Sequence, residues 1–206
     1  MHKVVEEISD GNSWRDGEFA KYRVNPFGVD ELFWYRMCVP MIYAHWEGFV
    51  VNSLKQVLSH LNKLQLTSVQ VPTRLVVVGL GDTYRTLSGK QSFEQRISFT
   101  EKFNVLLNNS IKFKTKIETR SNLNSEVLQE LCHMFDFDFT RFQDLTAILD
   151  RIVHVRNSIA HGENSIIPTL ENINNYIEVV KRSTDILLEE IDIFLDEECY
   201  LLNRTA

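Results

Sequence analysis

Between Ile42 and Leu61 the chain repeats apolar residues at helical spacing with little polar relief. Ile42, Trp46, Phe49, Val50, Leu54, Val57, Leu58 and Leu61 fall on one broad stripe. A helix with so wide an apolar surface has to be wrapped by other elements, so this segment predicts the centre of a helical core. The same spacing returns near the C-terminus, where Ile173, Ile177, Val180, Leu187, Ile191 and Phe194 mark a long amphipathic helix opened by Pro168-Thr169. Asp30-Glu31 supplies an acidic start to the central helix, and Pro40 predicts a kink or break within it. Ser92-Phe93-Glu94-Gln95 and Thr140-Arg141-Phe142-Gln143 each fit a capping box. The second opens a helix that runs to about His161, where Gly162 suits the left-handed position after a helix end. Several N-cap candidates from Ser121 to Ser125 precede a further helix over 126–135.

The remaining stretches are less periodic. Residues 1–28 read as an arm or a short helix, and 29–206 as a single helical domain. Leu75-Val76-Val77-Val78 fits a buried strand or a helical turn, and periodicity does not decide between them. Ile111-Lys112-Phe113-Lys114-Thr115-Lys116-Ile117 alternates like a strand, apolar inward and lysine outward. The expected fold is therefore an all-α bundle with room for a small β element around 72–79 and 111–118. Lys112, Lys114 and Lys116 read either as the solvated edge of that element or as a basic ribbon for RNA phosphates. Gly79-Leu80-Gly81 and Gly89-Lys90 lack the other glycines of nucleotide loops and read as structural.

Composition removes whole classes of function. With 44% hydrophobic and 24% charged residues the chain is not a disordered one. No apolar run is long enough to span a membrane, and the first residues lack the apolar core of a secretory signal. Three cysteines without ligand-like spacing favour a reducing, cytoplasmic setting, in which the Asn203–Thr205 glycosylation pattern is a coincidence. A net charge of −6 argues against a broad electrostatic nucleic-acid binder, though not against a local basic site. No His, Cys, Asp and Glu set has metal spacing, so no metal or cofactor is expected.

One residue breaks the amphipathic pattern of 145–161. On a helical wheel, Leu145, Ile148, Leu149, Ile152, Val153, Val155, Ile159 and Ala160 share one arc, and Arg156 projects into its middle. An unpaired buried guanidinium costs several kcal/mol, so it must snorkel, find a carboxylate or face a partner. His161 lies at the helix end, whose partial negative charge favours imidazolium, and imidazole can give or take a proton near neutrality. An Arg-Asn-x-x-x-His string arises by chance in about one chain of this composition in forty. Composition alone leaves two readings open: a core arginine beside a capping histidine, or a reactive pair.

Arg156-Asn157-Ser158-Ile159-Ala160-His161-Gly162-Glu163 resembles the signature of the HEPN superfamily (higher eukaryotes and prokaryotes nucleotide-binding). The stretch from Val39 to Val50, and Ser121-Asn122-Leu123 followed by Glu126-Val127-Leu128, are similar to its prokaryotic toxin and defence branch. The likeness spans roughly 30–195. It implies a helical bundle, a homodimer, and a metal-independent endoribonuclease with one motif from each subunit in a shared cleft. It further implies attack of an RNA 2′-OH on the adjacent phosphorus, His161 as general acid or base, Arg156 stabilising the phosphoryl oxygens, and Asn157 orienting the imidazole or phosphate. Glu47 is expected to pair with Arg156 or to orient the site, and His154 shares a face with Asn157 and His161. His45, beside Trp46, reads as structural.

Three functions are open to such a chain. It could be an RNA-cleaving toxin or anti-phage defence effector acting with an antitoxin or defence partner. It could be a non-catalytic HEPN module that binds nucleotides, RNA or a partner. It could be a plain dimerisation protein in which Arg156 is a structural ion-pair residue. The intact Arg-Asn-x-x-x-His favours the first.

Overall fold

The structure, a computed structural model, describes residues 1–25, 27–81 and 91–202. Gly89-Lys90 and Asn203–Thr205 lie outside the described residues. The helices are α1 (Lys3–Asn12), α2 (Trp14–Tyr22), α3 (Glu31–Lys63), α4 (Thr73–Leu80), α5 (Phe93–Asn108), α6 (Ser125–Phe135), α7 (Thr146–Ala160) and α8 (Leu170–Asp196), with a 3₁₀ segment over Phe139–Leu145 before α7. No strand occurs among the described residues, and the fold is all-α.

Helix α3 is the centre of the bundle and touches α1, α2, α7 and α8. Asp30 caps it through the Phe33 N–H, and Trp46, Phe49, Val50, Leu54, Val57, Leu58 and Leu61 are all buried. The helix runs through Pro40 as one element. Proline inside a helix costs about 3 kcal/mol, a penalty offset here because Val39, Ile42 and Tyr43 beside it are buried. The last helix starts at a Thr169–Asn172 capping box and buries Ile173, Ile177, Val180, Leu187, Ile191 and Phe194 against the core.

The first 22 residues form two helices rather than an arm. Val4, Val5 and Ile8 of α1 and Phe19 and Tyr22 of α2 join the core. A polar network anchors α2 to α3. Arg15 lies 2.9 Å from Nδ1 of the buried His45, and Tyr22 Oη lies 3.0 Å from its Nε2. Guanidinium can only donate, so Nδ1 is the accepting nitrogen and the proton sits on Nε2, facing Tyr22, which in turn donates to Glu18. Burial, reinforced by Arg15, lowers the His45 pKa from 6.5, with Glu18 opposing. The unfolded chain therefore takes up a proton that the native network resists. Stability from this site is complete above pH 6.5 and falls as pH drops through the lowered native value. His60, half-buried beside His2, adds a loss of the same sign. Urea unfolding from about pH 8 to pH 5 should show the decline, and His45→Gln should flatten it to the part due to His60. An unchanged slope in that variant would remove His45 from this role.

The expected β element is absent in both places. Residues 73–80 are helix α4, with Leu75 and Leu80 buried. Gly79 of α4 lies against Ile111, and a Cβ at that position would collide with the isoleucine side chain. Residues 111–118 are extended but pair with no strand. The alternation is real, since Ile111 and Phe113 are buried while Lys112, Lys114 and Lys116 are exposed. The side chain of Asn62 stands in for a neighbouring strand, donating to the Phe113 carbonyl at 2.9 Å and accepting the Phe113 N–H at 2.8 Å. The Leu66 carbonyl accepts the Ile111 N–H.

The capping box at Ser92 and Gln95 forms as expected and opens α5. The one at Thr140 does not. Asp138, two residues earlier, accepts from both the N–H and the hydroxyl of Thr140, and its own N–H is held by the buried Glu190 of α8. Arg141 also pairs with Glu190, at 2.7 Å, and with Glu189. Tied down this way, 139–145 tightens into a 3₁₀ turn and the α-helix begins only at Thr146. The phenylalanines at this junction pack on one another and on Phe194.

Candidate functional site

Three separated pieces of chain meet at the C-terminal end of α7. They are the middle of α3, the bend 119–125, and 156–163. Arg156 leaves the apolar face of α7 and lays its guanidinium over the Tyr43 ring, 3.9 Å from the centroid. Its Nη1 donates to Asn157 Oδ1 at 2.8 Å, and its Nη2 donates to the Ser121 carbonyl at 2.6 Å. Asn157 in turn donates to Asn122 Oδ1 at 3.0 Å. Asn157 thus hydrogen-bonds the guanidinium and, among the described residues, makes no hydrogen bond to the His161 imidazole.

No carboxylate pairs with Arg156 among the described residues. Its partners are a carbonyl, an amide and an aromatic face, which hold the cation without neutralising it. An aromatic face contributes about 0.5–2 kcal/mol to holding such a cation. Arg156 and Asn157 are half-buried, so the charge stays within reach of a ligand.

The bend that meets Arg156 is itself rigidly held. Arg120 and Ser121 both take positive φ, 55° and 50°. The Leu123 side chain is fully buried, and its N–H donates to Tyr43 Oη at 2.8 Å. Ser125, through its N–H at 2.6 Å and hydroxyl at 2.7 Å, donates to the Asp150 carboxylate of α7. Glu47 does not reach Arg156. It accepts from Thr119 Oγ1 at 2.5 Å and lies near enough to Tyr43 to act on its phenol. Burial, opposed by the Leu123 N–H and reinforced by Glu47, raises the Tyr43 pKa, so the phenol stays protonated.

His161 is the C-cap of α7 and is exposed, with no side-chain hydrogen bond among the described residues. The chain turns away from it in a Schellman motif. Gly162 sits at φ +82° with its N–H on the Ile159 carbonyl, and the Glu163 N–H reaches the Ser158 carbonyl. Arg36 of α3 fastens the stretch after the turn, donating to the carbonyls of Glu163 and Ile166 at 2.7 Å each. His154, two turns before His161, is exposed on α7.

The lysines of 112–116 do not all line one groove. Lys114 and Lys116 line a groove of about 750 Å³ between α4, α6 and the extended segment, together with Arg74, Arg120, Glu118 and Glu130, and Lys112 lies outside that lining. Lys116 pairs with Glu118, Arg120 with Glu130, and Arg74 with Asp136, so acids offset the basic rim. Among the described residues no group of three or more His, Cys, Asp or Glu could hold a metal ion, and no helix is long and apolar enough to cross a membrane.

Beside the site, α3 leaves a face uncovered. Phe33, Met37 and Met41, spaced four residues apart, are 57%, 49% and 47% exposed. They adjoin the face that carries Arg36, Tyr43 and Glu47.

Sequence reasoning assigned no role to Tyr43, Asn122 or Arg36. The first two lie inside the stretches that carry the family likeness, which was their only signal. Arg36 had none, because its acceptors are backbone carbonyls 127 and 130 residues away.

An all-α bundle with an arginine and a histidine at the end of one helix, braced by a long central helix, defines a HEPN domain, a class associated with nucleotides and RNA. Residues 10–196 match the RiboL-PSP-HEPN family, and the chain belongs to it. No curated protein and no solved structure matches the chain.

Proposed function

We propose that this protein is a metal-independent endoribonuclease of the toxin or defence kind, working as a homodimer in which two Arg156–His161 pairs flank one RNA strand. The observation that carries the reading is the state of Arg156: a half-buried guanidinium, held on an aromatic face by neutral acceptors, five residues before an exposed imidazole. A structural ion-pair arginine would sit against a carboxylate instead. The intact pair also sets this reading above a non-catalytic HEPN module.

One His161 removes the proton from the RNA 2′-OH as O2′ attacks the adjacent phosphorus. The P–O5′ bond breaks, and the second His161 donates a proton to the departing 5′ oxygen. The products are a 2′,3′-cyclic phosphate and a 5′-OH. Arg156 meets the charge that builds on the non-bridging phosphoryl oxygens, where a planar fork of donors fits. Asn157 and Asn122 hold that fork in place. Glu47 acts at one remove through Tyr43, and His154 flanks the strand.

An antitoxin or other partner protein enters this reading only as a regulator of the shared cleft. The uncovered Phe33–Met37–Met41 face supports self-association, since a two-fold contact there would be self-complementary and would bring two copies of the adjoining site together. The test is purified protein with total RNA in EDTA, followed by analysis of the new ends. Cyclic phosphate and 5′-OH ends are expected. An RNA that is bound but never cut would favour the non-catalytic module.

A further inference from the structure

Arg36, Tyr43 and Glu47 lie within one narrow arc of α3, at spacings of seven and four residues. Each reaches a different part of the site. The Tyr43 ring lies beneath the Arg156 guanidinium. Its hydroxyl fixes the bend whose Ser121 carbonyl takes the same guanidinium. Glu47 ties Thr119 of the bend to α3. Arg36 takes two carbonyls of the segment just beyond His161.

The His161 imidazole has no side-chain partner among the described residues, so its place depends on the backbone around it. That backbone is a helix end, where the last turn frays unless something outside the helix holds it. The Schellman turn supplies two bonds from within. Arg36 supplies the two that come from another element.

We infer that α3 is the jig for the reactive pair: Arg36 positions His161 by clamping residues 163 and 166, and Tyr43 positions Arg156 by supporting its guanidinium. Neither touches the RNA, and both act through the residues they hold. The inference rests on the ribonuclease reading for its consequence in catalysis, but not for its geometry. A lysine at 36 gathers its three N–H donors on one nitrogen, so it spans the two carbonyls less well than the two nitrogens of the guanidinium fork.

The experiment measures the two consequences apart. In Arg36→Gln, hydrogen exchange followed residue by residue by NMR should show the amides of His161, Gly162 and Glu163 losing protection, while the amides of α8 keep theirs. Cleavage should fall on the order of 100-fold in kcat, with KM little changed, because misplacement of about 1 Å costs that much. Arg36→Lys should fall between the two in both readouts. Tyr43→Phe keeps the ring and loses the hydroxyl, so it should free the amide of Leu123 and leave those of Gly162 and Glu163 as in wild type. Wild-type exchange at 161–163 in a folded Arg36→Gln protein overturns the inference, whatever the cleavage assay gives. Absence of cleavage by the wild-type protein would instead remove the ribonuclease reading and leave the exchange result to judge the clamp.

Discussion

Replacing His161 by alanine is expected to reduce RNA cleavage on the order of 1,000-fold without moving the melting temperature. The two halves of that expectation have separate causes. A general acid or base contributes about 100- to 10,000-fold, and in the proposed dimer the same side chain would fill both roles, once from each subunit. The imidazole is exposed and bonded to nothing among the described residues, so folding does not depend on it. Arg156→Ala differs. It removes the Asn157 and Ser121 contacts and bares Tyr43, so cleavage and stability should fall together, the latter by about 1–2 kcal/mol. A ribose lacking its 2′-OH at the cleavage position should bind and stay intact. Single-turnover cleavage of a labelled oligoribonucleotide, with thermal melts of each variant, makes the comparison. A His161→Ala protein that cuts at the wild-type rate would end the proposed mechanism.

The second large effect concerns assembly. Met37→Glu with Met41→Glu should turn the proposed dimer into a monomer at micromolar concentration and take cleavage with it. In the proposed interface each substituted face would meet its own copy across a two-fold axis, so four carboxylates would converge in place of the apolar side chains. Like charges set against one another in an interface cost several kcal/mol, which weakens association by about 100- to 1,000-fold or more. The methionines are half-exposed within one subunit, so the monomer's fold should survive the change. Sedimentation velocity over a concentration series reads the assembly, and cleavage over the same series should fall in step. Dimers that persist in the double variant would move the interface to another face, and a wild-type chain that is monomeric throughout would remove the shared cleft.

How much of this could be read from the sequence depended on how local each cause is. The start of α5 at Ser92, the start of α8 at Thr169 and the turn at Gly162 are decided by residues within four positions of one another, and they stood as expected. The Thr140 box failed because its competitor, Asp138, is held by Glu190 from 52 residues away. The run Leu75–Val78 is too short for a period to tell helix from strand. The alternation of 111–117 correctly gave one buried and one exposed side, but a buried side is not a strand ladder, and here a carboxamide from α3 takes the place of a neighbouring strand.

The site shows the same division. Arg156 stood out because a guanidinium in an apolar arc needs a reason, and His161 because it ends that helix. What holds Arg156 was not visible. A carboxylate was the natural expectation for a cation, which made Glu47 the natural partner. The structure uses the flat face of Tyr43 and two oxygens, one from the neighbouring Asn157 and one from a distant bend, and Glu47 is spent on Thr119. Aromatic faces and backbone carbonyls leave no mark in a sequence that distinguishes them from ordinary core and loop.

The groups that orient the guanidinium come from positions 43, 121, 122 and 157, so they are synthesised far apart and meet only when the bundle has closed. A chain still on the ribosome, short of α7, carries neither half of the pair. A finished chain whose 119–125 bend has come loose keeps α7 but leaves Arg156 unaimed. Tertiary closure would thus act as a safety catch on the proposed nuclease, leaving newly made or damaged copies inert toward the RNA around them until they have folded.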